Sequence, residues 1–98
     1  MAVRDLARIF KALSDPNRLA ILRRIRRECP RGCRIDRWEE SQSVSAIARQ
    51  FDLALSTVSH HLKELRNAGL ILCRKRGQWV YCAPNRKALQ MIARFLRE

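Results

Sequence analysis

The run Leu55-Ser56-Thr57-Val58-Ser59-His60-His61-Leu62-Lys63-Glu64-Leu65-Arg66-Asn67-Ala68-Gly69-Leu70 constrains this chain more than any other segment. Val58, Leu62 and Leu65 recur at i, i+4 and i+7, the stripe that a helix buries against a core. At about 100° per residue the opposite face carries Ser56, Ser59, His60, Lys63 and Asn67, short or hydrogen-bonding groups of the kind that meet base edges and phosphates. Such a face suits a DNA major groove. Gly69 stands where a helix ends in a left-handed residue, and the residues beyond it turn strand-like.

The rest of the chain supplies a platform for that helix. Val3, Leu6, Phe10 and Leu13 share one face of a first helix, which Ser14-Asp15-Pro16 ends. Asp15 is placed to cap a second helix with Pro16 at its first position. Leu19, Leu22 and Ile25 carry the helical period toward Arg27, with Arg23, Arg24, Arg26 and Arg27 as a solvated face from which some side chains reach flanking phosphates. Residues 29 to 42, CPRGCRIDRWEESQ, hold Pro30 and Gly32 and keep no period, so they are expected to form a loop, with or without a short strand. Ser43 or Ser45 then caps a short helix with Val44, Ile47, Ala48 and Phe51 toward the core, and Asp52-Leu53-Ala54 turns into the 55–67 helix. The pair is a helix-turn-helix.

Ile71 to Lys75 and Trp79 to Ala83 read as strands joined through Arg76-Gly77-Gln78, a hairpin with a basic tip. Following a recognition-type helix directly, it resembles the wing of a winged helix, with Arg74, Lys75 and Arg76 along a phosphate backbone or in the adjacent minor groove. Charges on an exposed strand edge also guard against aggregation. A last helix begins near Asn85 and presents Leu89, Ile92, Ala93 and Leu96 on one side. The fold class expected is mostly α with a small β-hairpin: about five helices and a two-stranded wing in a single domain over 1–98. The terminal helices, about 3–13 and 85–97, are more apolar than one small core requires. A second copy packed on them would present two recognition helices to half-sites roughly 34 Å apart or a multiple of that.

Charge bears on the partner. The 98 residues carry a formal +12, with eight Arg against two acids between residues 17 and 37 and six cations against two acids between residues 41 and 83. A charge spread through the fold is not a disordered tail, and it draws polyanions. Double-stranded DNA is the expected partner; a non-specific architectural DNA- or RNA-binding module is the alternative. There is no apolar run of about 18 residues and no signal peptide, so no membrane partner and a cytoplasmic location are expected. The sequence holds no nucleophile elbow, phosphate loop, two-His metal motif or Cys-x-x-Cys pair, and no enzyme is expected.

Three blocks together resemble the ArsR/SmtB family of winged-helix repressors: Ala12 to Leu22, Ser56 to Leu70, and Arg76-Gly77-Gln78-Trp79-Val80-Tyr81. The resemblance implies a homodimer that represses transcription at a palindromic operator and loses DNA affinity when an effector binds. It places Ser56, Thr57, Ser59 and His60 against DNA, with Thr57 on the flank of the polar face near the helix N-terminus, where a phosphate contact fits. His61, beside the buried stripe, reads as packing. Ala54 stands where relatives often carry a capping Ser, a difference of about 1 kcal/mol in helix capping.

The family's usual metal sites are missing their ligands. Ser43 and Ser45 stand where a Cys-x-Cys pair is common, and from Asn85 to Glu98 there is neither His nor Asp. Four cysteines remain: Cys29 and Cys33 in the irregular connection, Cys73 and Cys82 on the hairpin. Three readings stay open: no cysteine effector site, a soft metal, metalloid or redox role for Cys29 and Cys33, or a zinc site joining them to Cys73 and Cys82. The hairpin pair face each other if the turn is Gly77-Gln78, and not if it is Arg76-Gly77.

Overall fold

The computed structural model describes residues 2–28 and 43–98. Its elements run α1 (Val3–Leu13), α2 (Pro16–Glu28), α3 (Val44–Phe51), α4 (Leu55–Asn67), β1 (Ile71–Arg76), β2 (Trp79–Pro84) and α5 (Arg86–Leu96). This is a winged helix-turn-helix, with five helices and a two-stranded antiparallel hairpin among the described residues.

Side-chain caps set the α1–α2 corner. Asp15 Oδ1 accepts from the backbone N–H of Asn17 at 2.8 Å and of Arg18 at 3.1 Å, so the expected N-cap is formed. Those bonds, the one from Arg18 foremost, hold the Asp15 carboxyl below its ordinary value. Arg18 Nε donates to Ala12 O at 2.7 Å, tying the end of α1 to the second helix. Ser43 caps α3, its Oγ accepting from Ala46 N at 3.2 Å, and Asp52 takes the left-handed conformation (φ 51°) that reverses the chain toward α4.

The core lies where α2, α3 and α4 meet the base of the hairpin. Ile21, Leu22, Ile25, Ile47, Val58, Leu62, Leu65, Leu70 and Ile71 are all buried there. One assignment from the helical period needs correction. In α2 it is Ile21 that joins Leu22 and Ile25 in the core, whereas Leu19 is half exposed. The face of α1 turned inward is Leu6, Ile9 and Ala12, and Val3 stands 82% exposed with Phe10 also open to solvent. Both helices carry apolar residues on more than one face, so period alone does not say which face the core takes.

α4 ends in a Schellman motif. Leu70 N–H reaches Leu65 O at 3.0 Å and Gly69 N–H reaches Arg66 O at 2.9 Å, with Gly69 at φ 78°. Asn85 departs from expectation: its side chain makes no cap to α5. Its Nδ2 donates to Gly69 O at 2.8 Å and its backbone N–H to Leu70 O at 2.9 Å. The two ends of the hairpin are thereby fastened to the end of α4, which fixes the wing relative to that helix. α5 buries Ala88, leans Leu89 and Ile92 on the core, and leaves Phe95 and Leu96 exposed.

Candidate nucleic-acid interface

α4 has the two faces its sequence requires. Val58, His61, Leu62 and Leu65 are buried, while Ser56, Thr57, Ser59, His60, Lys63 and Asn67 are all exposed. His61, 7% exposed, lies on the packed side, as the sequence indicated. Ala54 occupies the N-cap with no side-chain cap bond, so no cap competes with an outside acceptor for the first backbone N–H groups of α4. Those N–H groups and the positive end of the helix dipole attract an anion beside Ser56 and Thr57. A rigid helix presenting hydroxyl, imidazole, ammonium and amide groups in one plane of access can donate and accept along a groove edge.

The hairpin stands beside this face. Its register pairs Cys73 with Cys82, Arg74 with Tyr81, Lys75 with Val80 and Arg76 with Trp79, which makes Gly77-Gln78 the two-residue turn. Gly77 takes φ 62° and Gln78 does not take positive φ, the pattern of a II′ hairpin turn. Arg74, Lys75 and Arg76 are all exposed. Alternation along the strand puts Arg74 and Arg76 on one face and Lys75 on the other, so the tip carries cations on both sides. A bridge between Ser43 and Tyr81 attaches the start of α3 to β2 and so braces the wing from the opposite edge.

Between α4 and the wing lies an open cleft of about 430 Å³, lined among others by Leu55, Ser59 and Lys63 of α4 and Cys73, Trp79 and Val80 of the hairpin. The sequence reading missed this cleft, along with the part played in it by Arg66. Leu55, Trp79 and Val80 are apolar and exposed. An exposed Trp and Val on adjoining strand positions, next to an amphipathic helix, was the signal available.

Register settles the cysteine question on the hairpin: Cys73 and Cys82 face each other with Sγ atoms 3.6 Å apart, both free thiols. Cys29 and Cys33 lie outside the described residues. Among the described residues no three His, Cys, Asp or Glu side chains gather to hold a metal ion, and no helix is long and apolar enough to cross a membrane.

Known proteins share this arrangement. A family model described as a helix-turn-helix domain matches residues 13–74. The transcriptional repressor SdpR of Bacillus subtilis is 30% identical over 82 residues, 84% of this chain and 78% of that protein. The crystal structure of an ArsR family transcriptional regulator superposes with a TM-score of 0.75 at 30% identity, covering 99% of this chain and 88% of that one. The solution structure of a homodimeric winged helix-turn-helix DNA-binding domain from Mycobacterium bovis has the same fold, with a TM-score of 0.71 at 24% identity over 97% of this chain and 77% of that one.

Proposed function

The chain belongs to the ArsR family of winged helix-turn-helix transcriptional regulators, and we propose that it works as a homodimeric repressor that reads a palindromic operator with α4. The observation that carries this reading is the outward face of α4. Ser56, Ser59, His60, Lys63 and Asn67 are free in solvent on a helix whose other side is locked into the core. Ser59 and His60 read base edges, Ser56 and Thr57 hold a phosphate at the helix start, and Arg74, Lys75 and Arg76 follow the backbone beside it.

The dimer is formed by α1 and α5. Val3 and Leu96 stand 82% and 66% exposed, and Phe10 and Phe95 meet across the two helices with ring centroids 6.1 Å apart, their outer sides open. A small domain that leaves this much apolar surface on its two end helices gains by covering it with its own copy. A releasing signal belongs to the same reading, with a soft metal, a metalloid or an oxidant acting at Cys29 and Cys33.

Gel shifts on a selected duplex and a scrambled one test the assignment of roles. Ser59→Ala or His60→Ala lowers discrimination between the two by about 1–3 kcal/mol, whereas Arg76→Ala weakens both alike. Equal losses on both duplexes for the helix substitutions would support a non-specific architectural protein instead.

A further inference from the structure

We propose that Cys73 and Cys82 form a modification site, oxidised by a hydroperoxide to an intramolecular disulfide across the wing. The pair needs no rearrangement of the fold to react. Counted outward from the Gly77-Gln78 turn, Arg76 and Trp79 are the hydrogen-bonded closing pair, so Lys75–Val80 is a non-hydrogen-bonded pair and Cys73–Cys82 is the next of that kind. Opposed residues at such positions have Cα atoms about 4.5 Å apart, within the 4.4–6.8 Å that a disulfide spans. The sulfurs already touch at 3.6 Å.

The two thiols are unequally placed, and this assigns their roles. Cys73 is half-buried and opens on the cleft between α4 and the wing, where Arg66 also lines the wall. Cys82 has no exposed surface. The hydrogen bond from Cys82, and behind it the Arg66 guanidinium, draws the Cys73 thiol below its ordinary value against the opposing effect of burial. Cys82 is pushed up by the same contact and by burial. Cys73 therefore attacks: its thiolate forms an S–O bond to the distal oxygen of the hydroperoxide, the O–O bond breaks, and alcohol or water leaves with a proton. Cys82 then attacks the resulting sulfenic acid, an S–S bond forms, and water carries away the oxygen and the Cys82 proton. Two electrons pass from the two thiols to one peroxide.

Among the described residues no third His, Cys, Asp or Glu joins the pair.

The test uses the full chain carrying Cys29→Ser and Cys33→Ser, so that Cys73 and Cys82 are the remaining thiols. One equivalent of hydrogen peroxide is expected to reduce alkylatable thiols from two to none per chain. The intact mass falls by two hydrogens, the chain migrates as a monomer on a non-reducing gel, and dithiothreitol restores both thiols. Adding Cys73→Ser should leave Cys82 unreacted at that dose, with circular dichroism reporting the fold, and adding Arg66→Gln instead should slow the reaction several-fold. Cys73 carried to sulfinic acid while Cys82 stays alkylatable, a disulfide formed between chains, or stoichiometric zinc retained by the reduced pair would each overturn the proposal.

Discussion

Leu65 and Lys63 sit two positions apart on α4 and should fail in opposite ways. Leu65 has no exposed surface and lies in the central cluster with Ile21, Leu62 and Leu70. Its change to Ala removes three carbon groups at about 0.8 kcal/mol each, roughly 2.4 kcal/mol of transfer free energy. The cavity left behind raises the loss to about 3–4 kcal/mol, inside the range of roughly 2.7–5.0 kcal/mol for comparable leucines. Against a total stability of about 5–15 kcal/mol that is a large share, yet the domain should still fold. Urea unfolding followed by circular dichroism at one fixed protein concentration measures it, since a dimer couples stability to concentration. Lys63→Ala should move stability by no more than about 0.5 kcal/mol, while lowering the salt dependence of duplex binding by about one unit of slope. A loss below about 1 kcal/mol for Leu65→Ala would mean that the side chain is not enclosed and that the helix is packed by some other face.

Other outcomes follow from single positions. Gly69→Ala meets no atom within 4 Å of the added Cβ, so its cost is the left-handed backbone alone, about 1–2 kcal/mol in the same urea assay; no loss at all would mean that φ 78° is not held. Asp15→Asn should lower the melting temperature at neutral pH. Because the folded carboxyl titrates below its ordinary value, its contribution is complete above that value and is lost as pH falls through the lowered one. The gap between native and variant melting temperatures should therefore close in acid, and a gap unchanged at low pH would count against the carboxylate charge as its source. Phe95→Asp puts a charge beside Phe10 on the exposed apolar side of α1 and α5. Sedimentation equilibrium should then show monomer where the proposed reading expects a dimer of the native chain; a dimer unchanged by the substitution would place the interface elsewhere.

How far the sequence told this story depends on the kind of signal each element carries. α4 was legible because its apolar stripe, its polar face and its Gly69 stop agree with one another, and local agreement of that kind leaves few alternatives. Asp15-Pro16 was legible because capping is a local bond between near neighbours. Leu19 was misplaced for the opposite reason: several apolar positions fit a helical period, and only tertiary packing chooses among them. Asn85 reads as a cap in sequence but spends its side chain on Gly69, sixteen residues away, a partner no local rule can see. The facing of Cys73 and Cys82 depends on the turn, and the pairing of Arg76 with Trp79, which leaves Gly77-Gln78 between the strands, decides it.

Selection of bound duplexes from a random pool by the full native chain tests most directly whether the outward face of α4 reads sequence. Enrichment of one inverted repeat is predicted, bound on the order of 10³-fold or more tighter than a scrambled duplex at physiological salt, with that preference reduced by about 1–3 kcal/mol in the His60→Ala chain. A pool that emerges unenriched, with all duplexes bound alike, would contradict it.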